Sequence, residues 1–152
     1  MASASEDSKL RPKAEKLADI LTVLQRSFLL RLSKDLSKGN VSFPQYFLLG
    51  FLVHQQRLTM SDIAQRMGHT TAAATGLVDR LENLGLAVRV HTKEDRRKVF
   101  VQPTAAGAAL VAEVRDDMVC NLLKMMAHLE PDEQQAWLRI YEKIFNYCQE
   151  CR

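Results

Sequence analysis

The residues with most chemistry to offer lie between Thr70 and Lys98. Thr70, Thr71, Ala72 and Thr75 open a short helical stretch with hydroxyls and methyls, groups that meet base edges by hydrogen bonding and by contact with the thymine methyl. Further on, Lys93, Arg96 and Arg97 crowd a polar loop between two β-branched runs, and arginines on the tip of a ribbon suit a narrow, negative minor groove. Between Leu86 and Pro103 five basic residues (Arg89, Lys93, Arg96, Arg97 and Lys98) face two acids, Glu94 and Asp95. The formal net charge of the chain is only +3. The concentration of charge, rather than its total, therefore points to a nucleic acid.

Two helices and a ribbon must position these groups. Thr59 and Asp62 have the Ser/Thr-x-x-acid spacing of a capping box, Leu58 and Ile63 flank it as a staple, and Gly68 is placed to end the helix in a left-handed conformation. Ile63, Ala64 and Met67 share its apolar face. After the turn His69-Thr70, a second helix is predicted from about Thr71 to Leu84, burying Leu77, Val78, Leu81 and Leu84 and turning Ala72, Thr75, Gly76 and Asp79 outward. Short strands are predicted over Leu86–Val90 and Val99–Val101. Pro103, which lacks an amide proton, should end the ribbon.

Longer helices flank this centre. Leu17, Ile20, Leu21, Leu24, Phe28, Leu32 and Leu36 recur at three- and four-residue steps, giving an amphipathic helix from about Pro12 that ends before Gly39-Asn40. Ser42 and Gln45 form another capping box, with Pro44 in the first turn, ahead of the nearly all-apolar FLLGFLV. Thr104 is placed to cap a helix striped by Leu110, Val114, Met118, Leu122, Met125 and Leu129. At about 25 residues it would extend roughly 37 Å, too long for a lobe this small to cover. Pro131 and the acids after it restart the chain as a last helix carrying Trp137, Tyr141, Ile144, Phe145 and Cys148 on one face. Stripes at both chain ends call for a second copy of the chain to cover them.

Composition bounds the remaining possibilities. With 152 residues, 47% of them hydrophobic, the chain can bury one good core. Its longest apolar run, Tyr46 to Val53, is far shorter than the roughly 20 residues of a membrane span. The opening MASASEDSKL has no signal-peptide core and is expected to be a solvated tail, so a cytoplasmic location is expected. Three cysteines suit a reducing compartment. Cys148 and Cys151 make a Cys-x-x-Cys that could serve as a redox pair, yet Cys148 continues an apolar stripe, and packing is the plainer role. The four histidines stand in no ligand pattern, and there is neither a glycine-rich phosphate loop nor a G-x-S-x-G. No enzyme activity, cofactor or metal is expected.

In its motifs and their order the chain resembles the MarR family of winged helix-turn-helix transcription factors. The resemblance rests on Ala64-Gln65-Arg66-Met67-Gly68, on Thr75 to Leu86 (TGLVDRLENLGL), on Asp95-Arg96-Arg97, and on Thr104 with Gly107, and in layout it runs from about Leu17 onward. It implies a mainly α fold with a small β-wing: a winged helix-turn-helix lobe over 41–103, a helical dimerisation region from 12–38 and 104–152, and a tail over 1–11. It further implies a homodimer on a pseudo-palindromic site of double-stranded DNA, acting as a repressor, with a small aromatic effector as a partner. Thr70, Thr71, Ala72 and Thr75 would read the major groove; Lys93, Arg96 and Arg97 would serve the wing, with Arg97 as the minor-groove residue and Asp95 shaping the loop. Two positions depart from the family pattern: Gly76 stands where a basic residue is common, and Pro103 where a leucine is. Gly76 keeps open a winged-helix protein-interaction module without specific DNA binding, and the cysteines keep open a thiol- or metal-sensing regulator.

Overall fold

The computed structural model describes residues 4–91 and 99–150. The elements follow the order α1 (Ala4–Lys38), α2 (Phe43–Gln55), β1 (Leu58–Thr59), α3 (Met60–Met67), α4 (Thr71–Asn83), β2 (Ala87–His91), β3 (Val99–Pro103), α5 (Ala105–Met126) and α6 (Pro131–Glu150). The fold is mainly helical with a small antiparallel sheet, as expected. Among the described residues no helix is long and apolar enough to cross a membrane. The chain divides into two compact units, Met1–Val111 and Ala112–Arg152.

Within the first unit, α1 corrects an expectation at its start: it is helical from Ala4, where a solvated tail was expected up to residue 11. Pro12 sits inside the helix and forfeits one ladder bond, while Arg11 and Glu15 pair at 3.0 Å across that turn and the surrounding Lys, Arg, Ala and Glu are good helix formers. Towards its end Leu32 and Leu36 are buried. Asn40 then takes a left-handed φ of 54°, and the amides of Gly39 and Val41 both bond the Leu36 carbonyl to close the helix. At the start of α2, Gln45 folds back to accept the Ser42 amide at 2.8 Å. Leu48, Leu49 and Leu52 of α2 have no exposed surface and form the centre of the core, against Leu58, Ile63, Ala74, Val78, Leu81, Ala87 and Val101.

The sheet has the order β1-β3-β2. β2 and β3 form the expected ribbon, in register from Ala87 opposite Pro103 to His91 opposite Val99. β1 pairs on the other side, Leu58 with Val101 and Thr59 with Phe100, and it was not expected. Two residues are too short to display alternation. β3 ends at Pro103 as its missing amide requires. Thr104 follows and joins three segments: its amide donates to the Leu86 carbonyl at 3.0 Å, its hydroxyl donates to the Gly85 carbonyl at 2.7 Å, and its Oγ1 accepts the Gly107 amide at 3.1 Å.

The second unit holds the later part of α5 together with α6. Glu133 accepts the Glu130 amide at 2.9 Å ahead of Pro131, and the Gln134 amide group donates to the carbonyls of Met126 and Leu129, each at 3.0 Å, so the helix ends are satisfied. Trp137 and Tyr141 meet edge to face at 6.1 Å. No described residue of α6 is buried.

Candidate nucleic-acid interface

α3, the turn and α4 form the helix-turn-helix. Thr59 caps α3 as its spacing predicts: the Asp62 amide donates to Thr59 Oγ1 at 3.2 Å, and Asp62 accepts from the Thr59 amide at 3.0 Å and from its hydroxyl at 2.7 Å. The Thr59 hydroxyl and amide hold the Asp62 carboxyl below the usual carboxylate range. Gly68, at φ 62°, ends the helix in the left-handed conformation expected of it.

α4 buries Ala74, Val78 and Leu81 and exposes Thr71, Ala72, Ala73 and Gly76 on its amino-terminal half. The expected base-reading residues therefore lie together at one end of one helix. Two of them are already engaged. Thr70 is the N-cap, and its Oγ1 accepts the Ala73 amide at 3.3 Å. Thr75 is half-buried and donates its hydroxyl proton to the Thr71 carbonyl at 2.8 Å. What these two can still offer a base is a Thr70 hydroxyl proton, a Thr75 lone pair and their methyl groups.

Gly76 is exposed, and a Cβ built there meets nothing within 4 Å. Among the described residues nothing requires a glycine in this helix interior. Gly76→Ala should accordingly raise stability by about 0.5–1 kcal/mol, read as a higher urea midpoint. A lower midpoint would show that the backbone needs glycine's freedom there.

The carboxyl-terminal half of α4 grips the ribbon through Arg89, which in the sequence reads only as one of five basic residues between Leu86 and Pro103. Its guanidinium pairs with Glu82 and lies 2.7 Å from Asp79, and its amide donates to Glu82 Oε1 at 2.8 Å. Asp79 is half exposed, so that contact is a minor one. Glu82, at 28% side-chain exposure and bonded to both the side chain and the backbone of Arg89, is the anchor. Arg89 thus positions β2 against α4 and is not available to a phosphate. The seven-residue interval between Glu82 and Arg89 spans a helix end and a turn, and no local pattern announces it.

Lys93, Asp95, Arg96 and Arg97 lie outside the described residues, as does Cys151. β2 ends at His91 and β3 begins at Val99, so these basic residues lie between the two strands in sequence. Cys148 is exposed on α6 and Cys120 on α5.

Comparison with known proteins gives the same picture. Residues 40–98 match the model of the MarR family. The chain is 37% identical over 107 residues to an uncharacterized HTH-type transcriptional regulator, YfiV of Bacillus subtilis, a match that spans 70% of this chain and 65% of that protein's length. Among solved structures, the YusO protein of Bacillus subtilis superposes with a TM-score of 0.75 at 25% identity, over 95% of this chain and 98% of that one. A MepR–DNA complex of S. aureus has the same fold, with a TM-score of 0.58 at 24% identity over 73% of this chain and 98% of that one. The capped helix pair, the ribbon held against its second helix and these likenesses together identify residues 40–98 as a MarR-family segment, in a chain similar along most of its length to HTH-type transcriptional regulators of that family.

Proposed function

We propose that the chain is a cytoplasmic, homodimeric repressor that binds a pseudo-palindromic duplex site and whose affinity answers to a small aromatic ligand or an oxidant. The observation that carries the DNA reading is the amino-terminal half of α4, an exposed surface of small residues next to the ribbon whose two strands flank the basic residues in sequence. Small side chains let the helix backbone approach a groove closely, and the loop supplies the charge. The MepR–DNA complex supports the same assignment by fold. In this reading Thr70, Thr71, Ala72 and Thr75 face the bases, Lys93 and Arg96 meet phosphate, Arg97 enters the minor groove and Asp95 orients the loop.

The deciding experiment is a titration against fragmented genomic DNA at low and high salt. Arg97→Ala should bind substantially more weakly and flatten the log-log salt slope by about 0.9, the share of one phosphate-equivalent contact. An Arg97→Ala chain with the parent's affinity and slope would take the wing out of the interface and favour the interaction module.

A further inference from the structure

β1 and β3 bring together two side chains that the reading above leaves unused. Leu58 and Val101 are paired across the strands and buried, so their neighbours Thr59 and Phe100, also paired, look to the other face of the sheet. Arg57 shares that outer face by the same alternation. Its guanidinium lies 4.9 Å from the centroid of the Phe100 ring. Arg57 is exposed and Phe100 half-buried, and among the described residues no carboxylate pairs with Arg57. Arg89, by contrast, is bound to two acids.

A guanidinium resting on a ring keeps its N–H donors in its own plane, directed sideways into solvent, while the ring fixes a side chain that otherwise loses much rotamer freedom on binding. That is a cation ordered in advance, with a fork of donors suited to two phosphate oxygens. Its place is on the ribbon's flank: β3 leads directly out of the segment holding Arg96 and Arg97, and β1 leads directly into α3.

We propose that Arg57, held by Phe100, is a phosphate-binding residue of the DNA interface, taking one backbone phosphate of the duplex beside the wing. This rests on the DNA-binding function proposed above. The test is a titration of the full chain with duplex DNA at about 50 and about 200 mM salt. For Arg57→Gln the loss of affinity across that range should be about 3.5-fold smaller than the parent's, the factor left by removing 0.9 from the slope. Arg57→Lys keeps the charge and should keep the slope. Phe100→Leu should also keep the slope but bind a few-fold more weakly, because the cation must then be ordered at each encounter. A Phe100→Leu chain with the parent's affinity, or an Arg57→Gln chain with the parent's slope, overturns this inference alone. A parent chain that binds no duplex at either salt overturns the function and the inference together.

Discussion

Gly107→Ala should cost the chain at least about 3 kcal/mol, the upper end of what over-packing a core does. A Cβ at this position would sit 2.1 Å from the Leu86 carbonyl oxygen and 2.9 Å from Leu49 Cδ1. The leucine methyl could yield by rotation. The carbonyl could not, because it is backbone and already accepts the Thr104 amide at 3.0 Å, so moving it breaks the junction between the ribbon and α5. Leu49 belongs to the fully buried centre of the core, and displacing it disturbs the packing of α2 as well. Against a typical total of about 5–15 kcal/mol, such a loss leaves a marginal or unfolded chain. Urea denaturation followed by circular dichroism measures it; a midpoint equal to the parent's would mean that the first turn of α5 can back away at no cost.

Aspartate in place of Tyr141 and Ile144 together should turn the proposed homodimer into a monomer. Both side chains are 53% exposed in the single chain, as is the apolar run Leu17, Ile20, Leu21, Leu24 and Phe28 on α1, at 42–58%. Each half-exposed side chain still has about 1 kcal/mol of transfer energy to gain, so these residues hold on the order of 7 kcal/mol per chain that only a covering surface can realise. Two-fold symmetry counts every substitution twice. At about 2 kcal/mol for each buried carboxylate, the dissociation constant should rise more than a thousandfold. Light scattering at micromolar concentration reads the result directly. A dimer of unchanged affinity would place the interface elsewhere and leave the stripes on α1 and α6 to another partner.

The parts of this fold that could be read in the sequence are those fixed by one or two residues acting locally. Thr59 with Asp62, Gly68 and Pro103 each meet a requirement of the backbone within a turn of themselves, and the structure has each in the expected role. What could not be read depends on distant residues. β1 is a strand only because Val101 and Phe100 lie beside it. Arg89 reads as one more cation of a basic segment until Glu82 and Asp79 are folded against it. Thr70 and Thr75 illustrate the same limit within the candidate site: their types suit base reading, but their hydroxyls are already engaged with the helix backbone. The helical start at Ala4 went unread for another reason, since that stretch has no apolar periodicity and its helicity rests on propensity and the exposed Arg11–Glu15 pair.

β1, for all its brevity, sets the order in which the DNA-binding lobe can be made. Its partner residues on β3 come only after α3, α4 and β2 have been passed, so the pairing of Leu58 with Val101 closes a loop that contains the whole helix-turn-helix. Closing a long loop is entropically unfavourable until the contacts it brings are in place. A chain emerging from the ribosome can wind its helices early, but Leu58 and the core beneath it stay open to water until β3 has appeared. Only then can the sheet edge over Leu58 close, and with it the ribbon that packs against α4, the helix proposed to meet DNA.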